Sequence, residues 1–211
     1  MDDKTKIVLQ FLRGVDKKNY IGERISQLEH ALQAAYFAEQ SNHSEEVIVA
    51  SLFHDIGHFA SDSKQFRMAQ LGIVNHEWIG AKLAYDAGFS KKIALLIGYH
   101  VNAKRYLITQ KPHYYERLSE ASKQTLAHQG GPMSVDEITH FEKHSFFKEI
   151  LQVRINDEKA KEVNLSVPDL EHYIPLIQKH LRQDTTFHEA PLKDYVKDKW
   201  ITELKNFLEV Q

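Results

Sequence analysis

The chain has 211 residues, 42% of them hydrophobic and 27% charged, which suits one ordinary globular domain with a core large enough to bury a site. A formal charge of -2 gives no global field for nucleic acid, and the absence of cysteine excludes disulfides, thiolate metal ligands and thiol nucleophiles. The amino-terminal Met-Asp-Asp-Lys-Thr-Lys precedes too short an apolar run for a signal peptide, and no stretch approaches the roughly 18 apolar residues of a membrane span, so a cytoplasmic protein is expected.

Helical periodicity dominates the chain and strand alternation is nearly absent. Ser26-Gln-Leu-Glu29 reads as a capping box, and Leu28, Leu32, Ala35 and Phe37 trace the apolar face that follows, with His30 in the first turn. Ser44 caps the next predicted helix, which runs through Val47 to Phe53 and has Gly57 as its stop, so His54 and Asp55 fall near its C-terminal end. Asn75 opens a helix carrying His76 and Gly88 closes it; Ser90 opens another, Ile93 to Val101, carrying His100. Further helices are predicted around Tyr114 to Leu118, Ala121 to His128, Val135 to Lys143, Phe146 to Lys161 and Val167 to Leu181, with a turn at Gln129-Gly-Gly-Pro-Met133. After a polar connector from Gln183, residues Leu192 to Val210 have helical spacing. The expectation is one all-α domain over residues 1–182, followed by a C-terminal linker and helix, 183–211, that packs on the domain or on a partner subunit.

Taken singly, each histidine reads as a packed or capping residue. Together, His30, His54, Asp55, His76, His100 and Asp157 exceed what one ordinary ion takes from protein, and imidazoles with carboxylates suit iron, manganese or zinc. Helices that each contribute an inward ligand are how bundles build metal centres, so a dinuclear site is expected, with Asp55 bridging, His54 and Asp157 serving one ion and His76 and His100 the other.

A second group has anion-binding chemistry. His58 lies one helical turn from His54, and Lys104 one turn beyond His100; Ser122, Thr125 and Arg154 add hydroxyl and guanidinium donors suited to a phosphate or phosphonate. Each of these also fits a solvated helix face. Lys91-Lys92 and Lys104-Arg105 are too sparse for a nucleic-acid stripe. Tyr20-Ile-Gly-Glu23 admits two readings, an extra metal ligand with a carboxylate for an amine, or a hydrophobic staple with an exposed acid, and spacing alone favours the second.

His30, His54-Asp55 and Asp157 resemble the H…HD…D pattern of the HD-domain superfamily of metal-dependent phosphohydrolases, and His76 with His100 is similar to its dinuclear branch of mixed-valence diiron oxygenases. Tyr20-Ile-Gly-Glu23, Gln27-Leu-Glu-His30-Ala-Leu-Gln, His54-Asp-Ile-Gly-His58, Ala103-Lys-Arg-Tyr-Leu107 and Gln129-Gly-Gly-Pro-Met133 resemble the glycine-forming 2-amino-1-hydroxyethylphosphonate dioxygenases of that branch, over about Lys4 to Leu181. The resemblance implies a single HD-domain helical bundle with a helical C-terminal extension. It implies two Fe ions, Fe(II)/Fe(III), on His30, His54, Asp55, His76, His100 and Asp157, and O2 as co-substrate. It also implies that Tyr20 coordinates one iron until substrate arrives, that Glu23 meets the substrate ammonium, and that His58, Lys104, Ser122, Thr125 and Arg154 hold the phosphonate. Tyr20, Glu23, His58 and Lys104 are then the residues expected to act directly on a small hydroxyphosphonate, in a monomer or small homo-oligomer that binds neither nucleic acid nor membrane. The competing expectations are an HD phosphohydrolase of phosphate esters or nucleotides, and a catalytically idle metal-binding module.

Overall fold

Twelve α-helices account for nearly all regular structure in a computed structural model that describes residues 3–13, 24–59, 73–181 and 198–209. They are α1 Asp3–Arg13, α2 Gln27–Gln40, α3 Glu45–Phe53, α4 His76–Ala87, α5 Lys91–Gly98, α6 His100–Gln110, α7 Tyr114–Arg117, α8 Glu120–His128, α9 Val135–Glu142, α10 Phe147–Lys159, α11 Leu170–His180 and α12 Asp198–Glu209. A 3-10 turn, Ile56–Phe59, follows α3, and the described residues contain no β-strand, so the fold is all-α. No described helix is long and apolar enough to cross a membrane.

The centre of the bundle is legible in its composition. Every residue of α3 from Val47 to Phe53 is buried, as is every residue of α5 from Ile93 to Gly98; helices apolar on all sides have to be surrounded. Helices α2, α5, α10 and α11 pack around α3, and α4 lies along α5. Ala34, Ala35 and Ala38, fully enclosed, give α2 the narrow surface needed for close approach to the core. The capping box predicted at Ser26 is formed, with Ser26 Oγ accepting from Glu29 N and Glu29 Oε2 accepting from Ser26 N. Ser44, Ser90, Ser119 and Ser134 cap their helices by accepting from the backbone N–H three residues on, and Ser134 with Glu137 forms a second capping box.

Two of the predicted boundaries differ in ways that serve the site. His100 does not continue the helix opened by Ser90: α5 ends at Gly98 and α6 begins at His100. His100 Nδ1 donates to Ile97 O at 2.7 Å, an oxygen that an uninterrupted helix would offer to the Val101 N–H. Gly57, expected to stop α3 with a left-handed residue, instead lies in the 3-10 turn, and its φ is not positive. It is needed because a Cβ there would overlap the His76 carbonyl oxygen and come within 2.7 Å of Gly80 N, so only glycine lets the turn close on the start of α4. By contrast Gly88 does end α4 in the left-handed region, with φ 111°. At the other end of the chain α12 lies against α5 and buries Leu204 and Leu208 in the core.

Candidate metal centre

Two groups of potential ligands meet inside the bundle: His30, His54 and Asp157 form one, and Asp55, His76 and His100 the other. Each group holds two imidazoles and one carboxylate. His30 comes from α2, His54 and Asp55 from the end of α3, His76 from the first residue of α4, His100 from the first residue of α6 and Asp157 from α10. The five ligands other than Asp55 are buried, and the Asp55 side chain is 15% exposed.

Asp55 stands between the groups. Its Oδ2 lies 3.5 Å from His54 Nε2 and 3.7 Å from His30 Nε2, while its Oδ1 lies 3.3 Å from His76 Nε2 and 3.7 Å from His100 Nε2. One carboxylate oxygen therefore faces each group.

Three of the four imidazoles are oriented by backbone carbonyls. His30 Nδ1 donates to Ala160 O at 2.6 Å, His54 Nδ1 to Ser51 O at 2.7 Å and His100 Nδ1 to Ile97 O. Ser51 and Ile97 stand three residues before their histidines at helix ends, where carbonyls lack an intrahelical partner. These bonds put the proton on Nδ1 of His30, His54 and His100 and turn their Nε2 atoms inward; the Nε2 atoms of His30 and His54 stand 3.1 Å apart and those of His76 and His100 3.2 Å apart. Facing lone pairs repel unless a cation lies between them. Donors about 2.1 Å from one ion and at right angles around it lie about 3.0 Å apart, so the spacing fits shared coordination.

The electrostatics favour positive charge at the same point. Burial pushes His54 down, but Asp55 and Asp157 outweigh it and raise it to about 9. Burial opposes ionisation of Asp157, yet Arg154 and then His54 hold it well below the ordinary carboxylate range; burial likewise opposes ionisation of Asp55, which His54 and His76 hold down. Burial, with His76 and His54 adding to it, lowers His100 to about 3, which keeps that imidazole neutral and available as a donor.

Of the anion-binding residues, Lys104 lies one turn along α6 from His100 and is buried, with Nζ 3.0 Å from Thr125 Oγ1 and 3.3 Å from Ser122 O. Thr125 Oγ1 in turn donates to Ser122 O at 3.0 Å. Lys104, Ser122 and Thr125 are thus brought together. His58 stacks on His76 with ring centroids 3.9 Å apart, its Nδ1 accepts from Ile73 N at 3.1 Å, and its Nε2 lies 4.0 Å from Asp55 Oδ1. Its proton therefore sits on Nε2. The Arg154 guanidinium pairs with Asp157 and Glu158, and its Nε donates to Tyr114 Oη at 3.1 Å. Tyr20 and Glu23 lie outside the described residues.

Tyr114, Glu158 and Lys161 belong to this neighbourhood without having been singled out in the sequence. Glu158 lies one turn after Arg154 on α10 and Lys161 three residues after Glu158, spacings that were readable; Tyr114 carries no local signal, because only folding brings α7 against Arg154.

Residues 28–133 match the HD domain family. The chain is 42% identical over 176 residues to a 1-hydroxy-2-(trimethylamino)ethylphosphonate dioxygenase (glycine-betaine-forming) of Leisingera caerulea, covering 82% of this chain and 89% of that one. It is 40% identical over 157 residues to a hydroxymethylphosphonate dioxygenase of Gimesia maris, covering 74% and 78%. An uncharacterized protein of Acanthamoeba polyphaga mimivirus is 42% identical over 168 residues, covering 79% and 77%. The chain belongs to the HD-domain family, in the group that contains these phosphonate dioxygenases.

Proposed function

We propose that this chain is a dinuclear non-haem iron oxygenase that cleaves the carbon–phosphorus bond of a 1-hydroxyphosphonate with O2, giving a carboxylic acid and phosphate. The observation that carries the reading is on α6, where His100 of one ligand group and Lys104 of the cation–hydroxyl cluster stand one turn apart, so a phosphonate held at Lys104 lies beside the metal centre. Two imidazoles with one carboxylate, twice over, is the donor combination that suits Fe(II) oxygenases, and the names of the Leisingera and Gimesia relatives point to the same chemistry.

His30, His54 and Asp157 would hold one iron, His76 and His100 the other, with Asp55 spanning them. Bound iron supplies oxygen activation and the one-electron steps that side chains cannot perform. The remaining work falls to the protein. Lys104, with Thr125 and Ser122, binds and orients the phosphonate; His58, with its proton on Nε2, offers a donor beside Asp55; the enclosing helices exclude water. The stoichiometry is complete without a reductant. R–CH(OH)–PO3H2 and O2 give R–COOH and H3PO4: the C–H and C–P bonds break, and each product gains one oxygen atom.

The first substrate to test is 2-amino-1-hydroxyethylphosphonate, which would yield glycine. On this reading Glu23 meets the ammonium and Tyr20 covers one iron until substrate arrives, and the mixed-valence Fe(II)/Fe(III) pair is the active state. The Leisingera relative is named for a trimethylamino substrate and the Gimesia relative for a hydroxymethyl one, so the end of the molecule remote from phosphorus is where members of this group differ. The test is an oxygen-electrode assay of anaerobically iron-loaded protein on these three phosphonates, following oxygen, phosphate and the organic acid together. Equal consumption of oxygen and release of phosphate on one of them is expected. Phosphate release from ordinary phosphomonoesters, with no oxygen consumed on any hydroxyphosphonate, would reject the oxygenase in favour of a phosphohydrolase.

A further inference from the structure

Lys161 is held in place from both sides. Ala160 O accepts from His30 Nδ1, and the backbone of Glu162 pairs with the buried Gln33 side chain in both directions: Glu162 N donates to Gln33 Oε1 at 3.0 Å and Gln33 Nε2 donates to Glu162 O at 2.7 Å. A lysine between two such anchors, one of them a metal-ligand contact, has a backbone with little freedom to drift. Its side chain, 13% exposed, brings Nζ to 3.5 Å from Ser122 Oγ and 3.1 Å from Glu158 Oε1. The carbonyl of the same Ser122 accepts from Lys104. The other oxygen of Glu158 accepts from Arg154, so one carboxylate holds two cations.

The charges around Ser122 do not balance. Lys104, Arg154 and Lys161 stand against Asp157 and Glu158, three cationic side chains to two carboxylates. An anion would complete the set, and a phosphonate with all three oxygens free can meet Lys104, Ser122 and Lys161 at once. A carboxylate, with two oxygens, or a phosphonate monoester, with one oxygen capped, would leave one of these donors without an acceptor.

We propose that Lys161 is a further substrate-binding cation, which selects an unesterified phosphonate, and that Glu158 is the positioning residue that aims it beside Ser122. This rests on the phosphonate reading of the site. Lys104 meets the anion from α6, Lys161 from the segment just after α10, and Ser122 on α8 lies between their contacts.

The experiment uses full-length, iron-loaded protein and calorimetric titration with methylphosphonate, which has three free oxygens and no reactive hydroxyl, and with its monomethyl ester, in which one oxygen is capped. Lys161→Gln is expected to weaken methylphosphonate binding by about tenfold or more, the loss of a charged hydrogen bond, with a much smaller change for the ester. Lys161→Arg should recover most of the affinity. Glu158→Gln should raise KM for a hydroxyphosphonate with iron content and helicity unchanged, since it displaces a cation without removing one. Wild-type affinity for methylphosphonate in Lys161→Gln, or an equal loss for both probes, would overturn the proposal. Failure of the oxygenase reading looks different: wild-type protein would bind methylphosphonate yet consume no oxygen on a hydroxyphosphonate, and the contrast between Lys161→Gln and wild type on the two probes would still stand in support.

Discussion

Arg154 donates to Oδ2 of Asp157 while Oδ1 of the same carboxylate faces His30 and His54, at 3.4 and 3.6 Å from their Nε2 atoms. The guanidinium thereby fixes which oxygen turns to the metal group and keeps that carboxylate ionised in a buried setting. Outer partners of this kind orient a ligand without touching the metal. Arg154→Met should therefore weaken metal binding by the His30, His54 and Asp157 group by about 10–100-fold, the usual cost of losing such a partner. Anaerobic iron titration should resolve one weakened site beside one near its wild-type affinity; two unaltered sites would remove Arg154 from the centre.

Asp55 should behave differently from Asp157, because its two oxygens face separate groups. Asp55→Ala is expected to impair retention of both ions, whereas Asp157→Ala should spare the His76 and His100 side. Iron analysis after gel filtration separates these outcomes, and electron paramagnetic resonance of the wild-type protein should report a coupled mixed-valence pair that the Asp55 variant lacks. Retention of two irons by Asp55→Ala would dismiss the bridging role.

Lys104 sets a pH dependence. Burial first, and then the Arg154 guanidinium, lower it to about 7, against the partial pull of Asp157 and Glu77. Below that pH the ammonium form predominates and attracts the anion; above it the neutral amine offers only a weaker donor. Since kcat/KM reports the free enzyme, its Lys104-dependent part should fall as pH rises through about 7. Lys104→Gln should lower kcat/KM below that pH by about 10–150-fold and abolish this limb. Substrate ionisation affects both proteins alike, so the difference between their profiles isolates Lys104.

Gly57 links fold to site. Gly57→Ala would force the 3-10 turn away from the His76 backbone and so shift a ligand as well as the packing against Gly80. A cost of about 1–3 kcal/mol is expected for overpacking at such a contact, lowering Tm by roughly 2–4 °C for each kcal/mol in a chain of this size. Thermal unfolding and iron retention should fall together; a variant with unchanged Tm would mean that the turn can relax without strain.

The all-α architecture and most helix starts were legible in the sequence because they depend on local chemistry. Ser26 with Glu29, and Ser44, Ser90 and Ser134, act on backbone donors within one turn, so their effect is written in adjacent residues. The six candidate ligands were legible as a set by residue type, and the HD resemblance supplied their expected grouping. Their convergence was not derivable from spacing. Asp157 reaches His30 from more than a hundred residues away, through the packing of α10 on α2 and α3. Likewise the break before His100 and the need for glycine at position 57 follow from a side chain taking a backbone carbonyl and from two backbones in contact, neither of which a linear pattern records. Arg154 shows the limit most directly. Its charge suited an anion, and only the fold shows that it is also buried against Asp157 and Glu158, because ion pairing depends on distance in space rather than along the chain.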